Sequence, residues 1–253
     1  DRYRRQRQMC IRDSAYFQNG EPKEARANRE VILCGGAYGS PQLMELSGVG
    51  DAQRLKDIGI EPVHHLPGVG EGLQDHQVFR MKWRLKGKPG SFNERIHGLN
   101  AVGEGLKYMF GRKGVLTSPT NPVNAFFRTR PELETPDVQI QFFPGTYDSL
   151  RDRRLHKQPG VTLGPVLLRL ESRGSVHVKS ADPFADPAIF TNVLGTENDL
   201  QSAILAMKYC RELMQTNAMK PYFDHEMAPG PDVQSEDEWL SLIHISEPTR
   251  LIG

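Results

Sequence analysis

Cysteine is scarce in this chain, three in 253 residues, too few and too widely spaced for a disulfide framework or a metal-ligand set. Excess charge of one sign is missing too: 32 Lys and Arg face 31 Asp and Glu, so nothing marks a nucleic-acid partner. No apolar run approaches the roughly 20 residues of a membrane-spanning helix, and no transmembrane segment is expected. Two catalytic signatures are absent as well. The dinucleotide fingerprint G-x-G-x-x-G fails at Gly48-Val49-Gly50, where Gln53 replaces the third glycine, and at Gly68-Val69-Gly70, where Leu73 does. A G-x-S-x-G elbow is missing around Ser40 and Ser47, which removes the main argument for a serine hydrolase. What remains is an ordinary globular balance, 38% hydrophobic and 25% charged, with room for one large domain or two smaller ones.

Both ends read as foreign. "RRQRQMCIRDS", Arg4 to Ser14, and "LSLIHISEPTR", Leu240 to Arg250, resemble translations of the DNA adapters used in transposon-based library preparation. Residues 1–14 and 240–253 are therefore expected to be adapter-derived and are set aside from fold reasoning. The first segment carries Arg2, Arg4, Arg5, Arg7 and Arg12 against Asp1 and Asp13, so removing its net +3 turns the overall +1 into −2. Cys34 and Cys210 then remain, which fits a reducing, cytoplasmic setting.

Strand signals open the native region: "AYFQ", the Asn19-Gly20 turn, "KEARA", then the apolar run Val31-Ile32-Leu33-Cys34 ending at Gly35-Gly36. The run predicts a strand covered on both faces. Ser40-Pro41 predicts a helix start, Ser as N-cap and Pro at the first helical position, with Leu43, Met44 and Leu46 packing and Gly48 as the stop. A second helix is expected from Asp51 to Gly59, followed by a strand and a glycine-rich loop through "PVHHLPGVGEGLQDH".

Beyond Val78 the texture changes. "FRMKWRLKG", "VNAFFRT", "DVQIQFF", "VTLGPVLLRL" and "SVHVKS" contain alternating or partly alternating apolar residues between turns, predicting an antiparallel sheet with one open face. Ile96, Leu99, Val102, Leu106 and Met109 predict a helix packed along that stripe. A further helix should start at Thr196 with Asp199 completing a capping box. His64-His65 and Asp75-His76 are candidate metal or base residues, but adjacent histidines on a strand face opposite ways and cannot share one ion. Glu132, Glu134 and Asp137 read as a solvated loop face.

The stretch "GAYGSPQLMELSGVG", Gly36 to Gly50, resembles the second signature of the glucose-methanol-choline (GMC) oxidoreductases. That signature is a small pair, Ser-Pro, an aliphatic pair and Ser-Gly-aliphatic-Gly. "REVILCGGA" and "LPGVGEGLQDH" are similar to segments flanking that family's flavin site. "SRGSVHVKSADPFADPAI" and "EMAPGPDVQSEDEWL" resemble its substrate-domain half. The resemblance implies an α+β (mixed α/β) protein: a partial Rossmann-like FAD-binding domain over 15–77, and a substrate domain with an antiparallel sheet and flanking helices, mainly over 78–239.

By the same resemblance the parent protein oxidises a small alcohol, its C–H delivering hydride to flavin N5 while a histidine takes the hydroxyl proton. Gly35, Gly36 and Ala37 would lie against the adenosine side of FAD, with Ser40 holding that turn. Leu73, Gln74, Asp75 and His76 would pack close to the cofactor, a purely structural role for His76 remaining open. The family's dinucleotide fingerprint and its catalytic His-Pro segment are not among these residues, so no catalytic residue and no metal ligand are assigned, and this chain alone is expected to be inactive, aggregation-prone and weak in binding FAD. Members similar to bacterial choline dehydrogenases place a Glu two residues after the Asp-His pair; Val78 stands there, which favours an uncharged primary alcohol. The electron acceptor stays open. The alternatives are a non-enzymatic β-rich domain that binds a protein partner, and an NAD-dependent dehydrogenase.

Overall fold

In the computed structural model, residues 13–147 and 154–246 are described; most of the two set-aside ends lies outside them. In chain order the elements are β1 (Asp13–Gln18), β2 (Glu21–Arg26), α1 (Gly36–Leu46), β3 (Val49–Gly50), α2 (Ala52–Asp57), β4 (His64–His65), β5 (Glu71–Leu73), β6 (Met81–Leu85), α3 (Phe92–Arg95) and α4 (Gly98–Gly111). There follow a 3-10 turn at Val115–Thr117, β7 (Val123–Phe127), β8 (Val138–Phe143), β9 (Gly160–Leu167), β10 (Gly174–His177), β11 (Ala188–Phe190), α5 (Glu197–Met214), β12 (Phe223–Ala228) and α6 (Glu236–Ser246). They form a mixed α/β protein whose contacts divide it into two units. Of the described residues, one unit holds those up to Leu73 with Arg173–Thr191; the other holds Gln74–Ser172 and those from Asn192 to Ser246. Residues 173–191 thus belong with the first unit although they follow most of the second in the chain.

In the first unit, β1 and β2 pair antiparallel around Asn19 and Gly20, which sit at φ 56° and 81°. Two left-handed residues match the twist of a two-residue hairpin, and Asn and Gly tolerate them best. Phe17 leans on Phe184, ring centroids 5.0 Å apart. The Val31–Cys34 run departs from expectation. It forms no strand, and Ile32 is 74% exposed. A doubly covered strand needs neighbours on both edges, and among the described residues no strand pairs with this one.

Helix α1 also starts earlier than Ser40-Pro41 predicts. Gly36, at φ 72°, turns the backbone into the helix and the Gly39 N–H reaches the Gly35 carbonyl at 3.2 Å, so Ser40 and Pro41 fall inside it. Pro41 has no N–H to return to Ala37. Leu43 is exposed, while Met44 and Leu46 are half-buried. Asp51 caps α2 as expected, accepting from Arg54 N at 2.9 Å; that N–H holds its carboxyl below the usual range. β3 pairs with β4 in parallel, and β5 and β11 flank β10 antiparallel.

The second unit is built on a five-stranded sheet in the order β12-β6-β9-β8-β7, antiparallel throughout. Alternation sorts its faces. Met81, Trp83, Ile140 and Leu163 turn one way and meet Ile204, Met207 and Cys210 of α5 in the main core; each large aliphatic buried there contributes about 1.5–3 kcal/mol. Burial also pushes the Cys210 thiol up. Leu240, the first residue of the set-aside C-terminal segment, packs against the same core.

Two expectations for the helices of this unit change. The apolar stripe of α4 is exposed, Leu99 at 89% and Phe110 at 81%, while Glu104 is buried and accepts from Val115 N and Lys107 Nζ at 2.9 and 2.8 Å. The helix is thus anchored on its polar side by a carboxylate that meets the following turn. Helix α5 begins at the Thr196 cap, whose hydroxyl accepts from Asp199 N at 3.3 Å. Asp199 does not complete a capping box, because its carboxylate accepts from Glu171 N and Ser172 N at 3.0 and 2.8 Å and from the Ser172 hydroxyl.

Candidate functional site

The residues assigned to cofactor contact converge on the entry of α1. Gly35, Gly36 and Ala37 are exposed and Ser40 is half-buried. No side chain caps this helix and its first turn holds no acidic residue, so its N-terminal N–H groups, the positive end of the helix dipole, face outward unmasked. A Cβ at Gly36 would meet nothing within 4 Å, whereas one at Gly35 would lie 2.8 Å from Gly39 C and Ser40 N. Gly35 is therefore bare for the helix itself. Gly36 is bare towards open space, where a ligand backbone or phosphate can approach. Ser40 does not hold the turn as cap, since it lies a full turn inside the helix.

Sequence reasoning missed what anchors this helix. Glu45 is fully buried. One of its oxygens lies 2.7 Å from His177 Nδ1, and the other accepts from Val178 N at 2.8 Å. His177 Nε2 lies 3.0 Å from Glu71 Oε1. A carboxylate among Leu43, Met44 and Leu46 was the available signal, but its partner is 132 residues away. His64 and His65 are exposed, and His65 Nδ1 accepts from Ala52 N at 3.1 Å beside the start of α2. Among the described residues no group of His, Cys, Asp and Glu is arranged to hold a metal ion.

The remaining assigned residues separate. Leu73 ends β5, opposite Gly174. Gln74, Asp75 and His76 line a 230 Å³ pocket with Leu168 and Leu170; Gln74 donates to the Leu170 carbonyl at 2.8 Å, and His76 N donates to Asp75 at 2.8 Å. His76 is exposed on this rim. A larger cavity, 270 Å³, opens on the sheet face turned away from α5, with Val78, Arg80, Asn121, Gln141, Tyr147 and Thr162 in its wall. Burial pushes the Tyr147 phenol up, against the opposing pull of the Arg80 guanidinium that hydrogen-bonds it.

Two family models, both described as GMC oxidoreductase, match residues 4–78 and 171–246. The chain belongs to the GMC oxidoreductase family. The matches run into both segments set aside above, and between them they take in α1, the Glu45–His177 pair and α5. Among similar curated proteins, an oxygen-dependent choline dehydrogenase of Chromohalobacter salexigens is 39% identical over 223 residues, 88% of this chain and 40% of that one. Its namesake from Staphylococcus saprophyticus is 36% identical over 238 residues, 93% of this chain and 42% of that one. This GMC chain thus spans about two fifths of the length of the relatives it matches.

Solved structures share the fold. A formate oxidase superposes with a TM-score of 0.78 at 22% identity, covering 89% of this chain and 44% of its own. An FAD-dependent oxidoreductase from Chaetomium thermophilum does so with 0.73 at 16%, covering 92% and 46%.

Proposed function

We propose that the protein to which this GMC chain belongs is an FAD-dependent oxidoreductase that oxidises the CH–OH group of a small alcohol. The observation that carries this reading is the pair of GMC matches on a chain whose first unit opens a bare glycine turn to solvent at an uncapped helix start. Family membership also favours an oxidoreductase over a non-enzymatic partner-binding sheet and over a nicotinamide enzyme.

The residues present fit a flavin dinucleotide. Gly36 leaves room for close approach, Gly35 and Ala37 add backbone without bulk, and the α1 N–H groups favour negative charge. Bound FAD would supply the hydride acceptor. Gly35, Gly36 and Ala37 would hold its adenosine side, and Glu45 with His177 would keep α1 in place beneath them. Gln74, Asp75 and His76 would lie near the cofactor as packing and orienting groups. The second unit would receive the alcohol on the open face of its sheet.

The test is to read the source DNA outward past both ends, express the longer reading frame and record its flavin spectrum. The expected result is bound flavin whose absorbance near 450 nm bleaches when an alcohol is added without oxygen. A longer protein that folds but carries no flavin, or whose flavin no alcohol reduces, overturns the proposal. Within that protein, Gly36→Val should lower flavin occupancy without unfolding the second unit.

A further inference from the structure

The cavity of the second unit has one charged residue, Arg80, among the described residues that line it. Its floor is the sheet face turned away from the core, where pairing sets Lys82 beside Thr162 and Gln141 beside Gly164, because registered neighbours in an antiparallel pair share a face. Arg80, two residues before Lys82, comes to the same face and lines the cavity. Lys82 is engaged nearby: its Nζ donates to the Tyr147 carbonyl at 2.7 Å and sits 4.7 Å from the Tyr147 ring centroid.

Arg80 keeps capacity. Its guanidinium acts on the Tyr147 phenol and carries five donors in a planar fork that suits a carboxylate. Asn121 donates to Gln141 Oε1 at 3.1 Å, which leaves this amide pair with donors and an acceptor to spare. Among the described residues of the wall, none is Asp or Glu. Val78 adds an apolar patch. A cavity of 270 Å³ is slightly below the roughly 300–1,000 Å³ of drug-sized sites, so it suits a small molecule.

We infer that this cavity takes a small alcohol that also bears a carboxylate, with Arg80 gripping the carboxylate and the Asn121–Gln141 pair meeting the polar remainder. The inference rests on the reading that the second unit receives the alcohol, and it narrows the substrate class. The sequence favoured an uncharged alcohol from Val78 alone; the guanidinium beside it selects an anionic one. Among the described wall residues a quaternary ammonium finds no carboxylate, and Arg80 repels it. Arg80 is thus a specificity-determining residue.

Isothermal titration of the 253-residue chain, without flavin, tests this with three probes of similar size: 4-hydroxybutyrate, 1,4-butanediol and choline. The expected result is saturable binding of 4-hydroxybutyrate alone, weakened by added salt. Arg80→Gln should weaken it roughly tenfold or more, the scale of a lost charged hydrogen bond, and Arg80→Lys should recover part of that loss. Circular dichroism establishes that each variant is folded; if the chain self-associates, the same titrations are run on the longer reading frame. Choline binding more tightly than 4-hydroxybutyrate, unchanged binding in folded Arg80→Gln, or no carboxylate binding by folded protein overturns the inference. The titration contains no redox step. A failure of the flavin reading would appear in the spectrum of the longer protein and leave these affinities unaffected.

Discussion

Glu45 and His177, 132 residues apart, meet at 2.7 Å inside the first unit, with Glu45 wholly shielded from water. A carboxylate so placed is tolerated only while its partners remain. His177→Ala leaves Val178 N as the one remaining donor to Glu45 among the described residues and should cost about 3 kcal/mol, read as a lower urea midpoint. Glu71, on the other ring nitrogen, is half exposed, so Glu71→Ala should cost less than about 1 kcal/mol.

Asp199 ties α5 to the segment before β10. Asp199→Ala strips the acceptor from Glu171 N, Ser172 N and the Ser172 hydroxyl, in a place where water is excluded. The expected loss is about 3 kcal/mol in denaturant unfolding. Thr196→Ala removes only the helix cap and should cost about 1 kcal/mol.

The glycines at the entry of α1 should respond with opposite signs. Gly36→Ala places a side chain at φ 72° and should destabilise by about 1–2 kcal/mol. Gly39 lies within the helix, and a Cβ there meets nothing within 4 Å, so Gly39→Ala should stabilise by about 0.5–1 kcal/mol. Thermal unfolding of the two variants beside the parent measures both.

Glu104 makes the attachment of α4 sensitive to acid. The Lys107 ammonium, then the Val115 N–H, hold its carboxyl below the usual range. A group depressed in the folded state stabilises fully above its unfolded value, about 4.3, and loses that contribution as pH falls through the folded value. Stability should therefore drop on acidification through that window. Glu104→Gln should flatten the drop in a series of melts from pH 6 to 3.

The bare stripe of α4 should govern solubility. With Leu99 and Phe110 almost fully exposed and Met109 at 66%, the chain should self-associate as its concentration rises. The double variant Leu99→Lys, Phe110→Lys should remain monomeric by light scattering where the parent does not, at little cost in stability, because neither side chain is packed.

Much of the molecule was legible from local pattern. The Asn19-Gly20 hairpin, the Asp51 cap, the start of α5 at Thr196 and the alternating strands β6 to β9 all follow from turn chemistry and periodicity acting over a few residues. The Gly36–Gly50 stretch also pointed to the family. Patterns that depend on a distant partner misled. Val31–Cys34 has the composition of a covered strand, and α4 has the stripe of a packed helix, but composition does not bring the covering neighbour. Glu45 and Glu104 drew no reading from the sequence, and their roles come from His177 and Val115.

By itself, then, the sequence determined most of the elements, the family and the bare turn at Gly35-Gly36, because propensity, capping and glycine freedom act locally. Tertiary structure alone decided which carboxylates are buried and which polar groups share the cavity at Arg80. Those outcomes depend on registered strands and on residues brought together from 11 positions apart, as for Glu104 and Val115, to 132, as for Glu45 and His177, and no local periodicity encodes them.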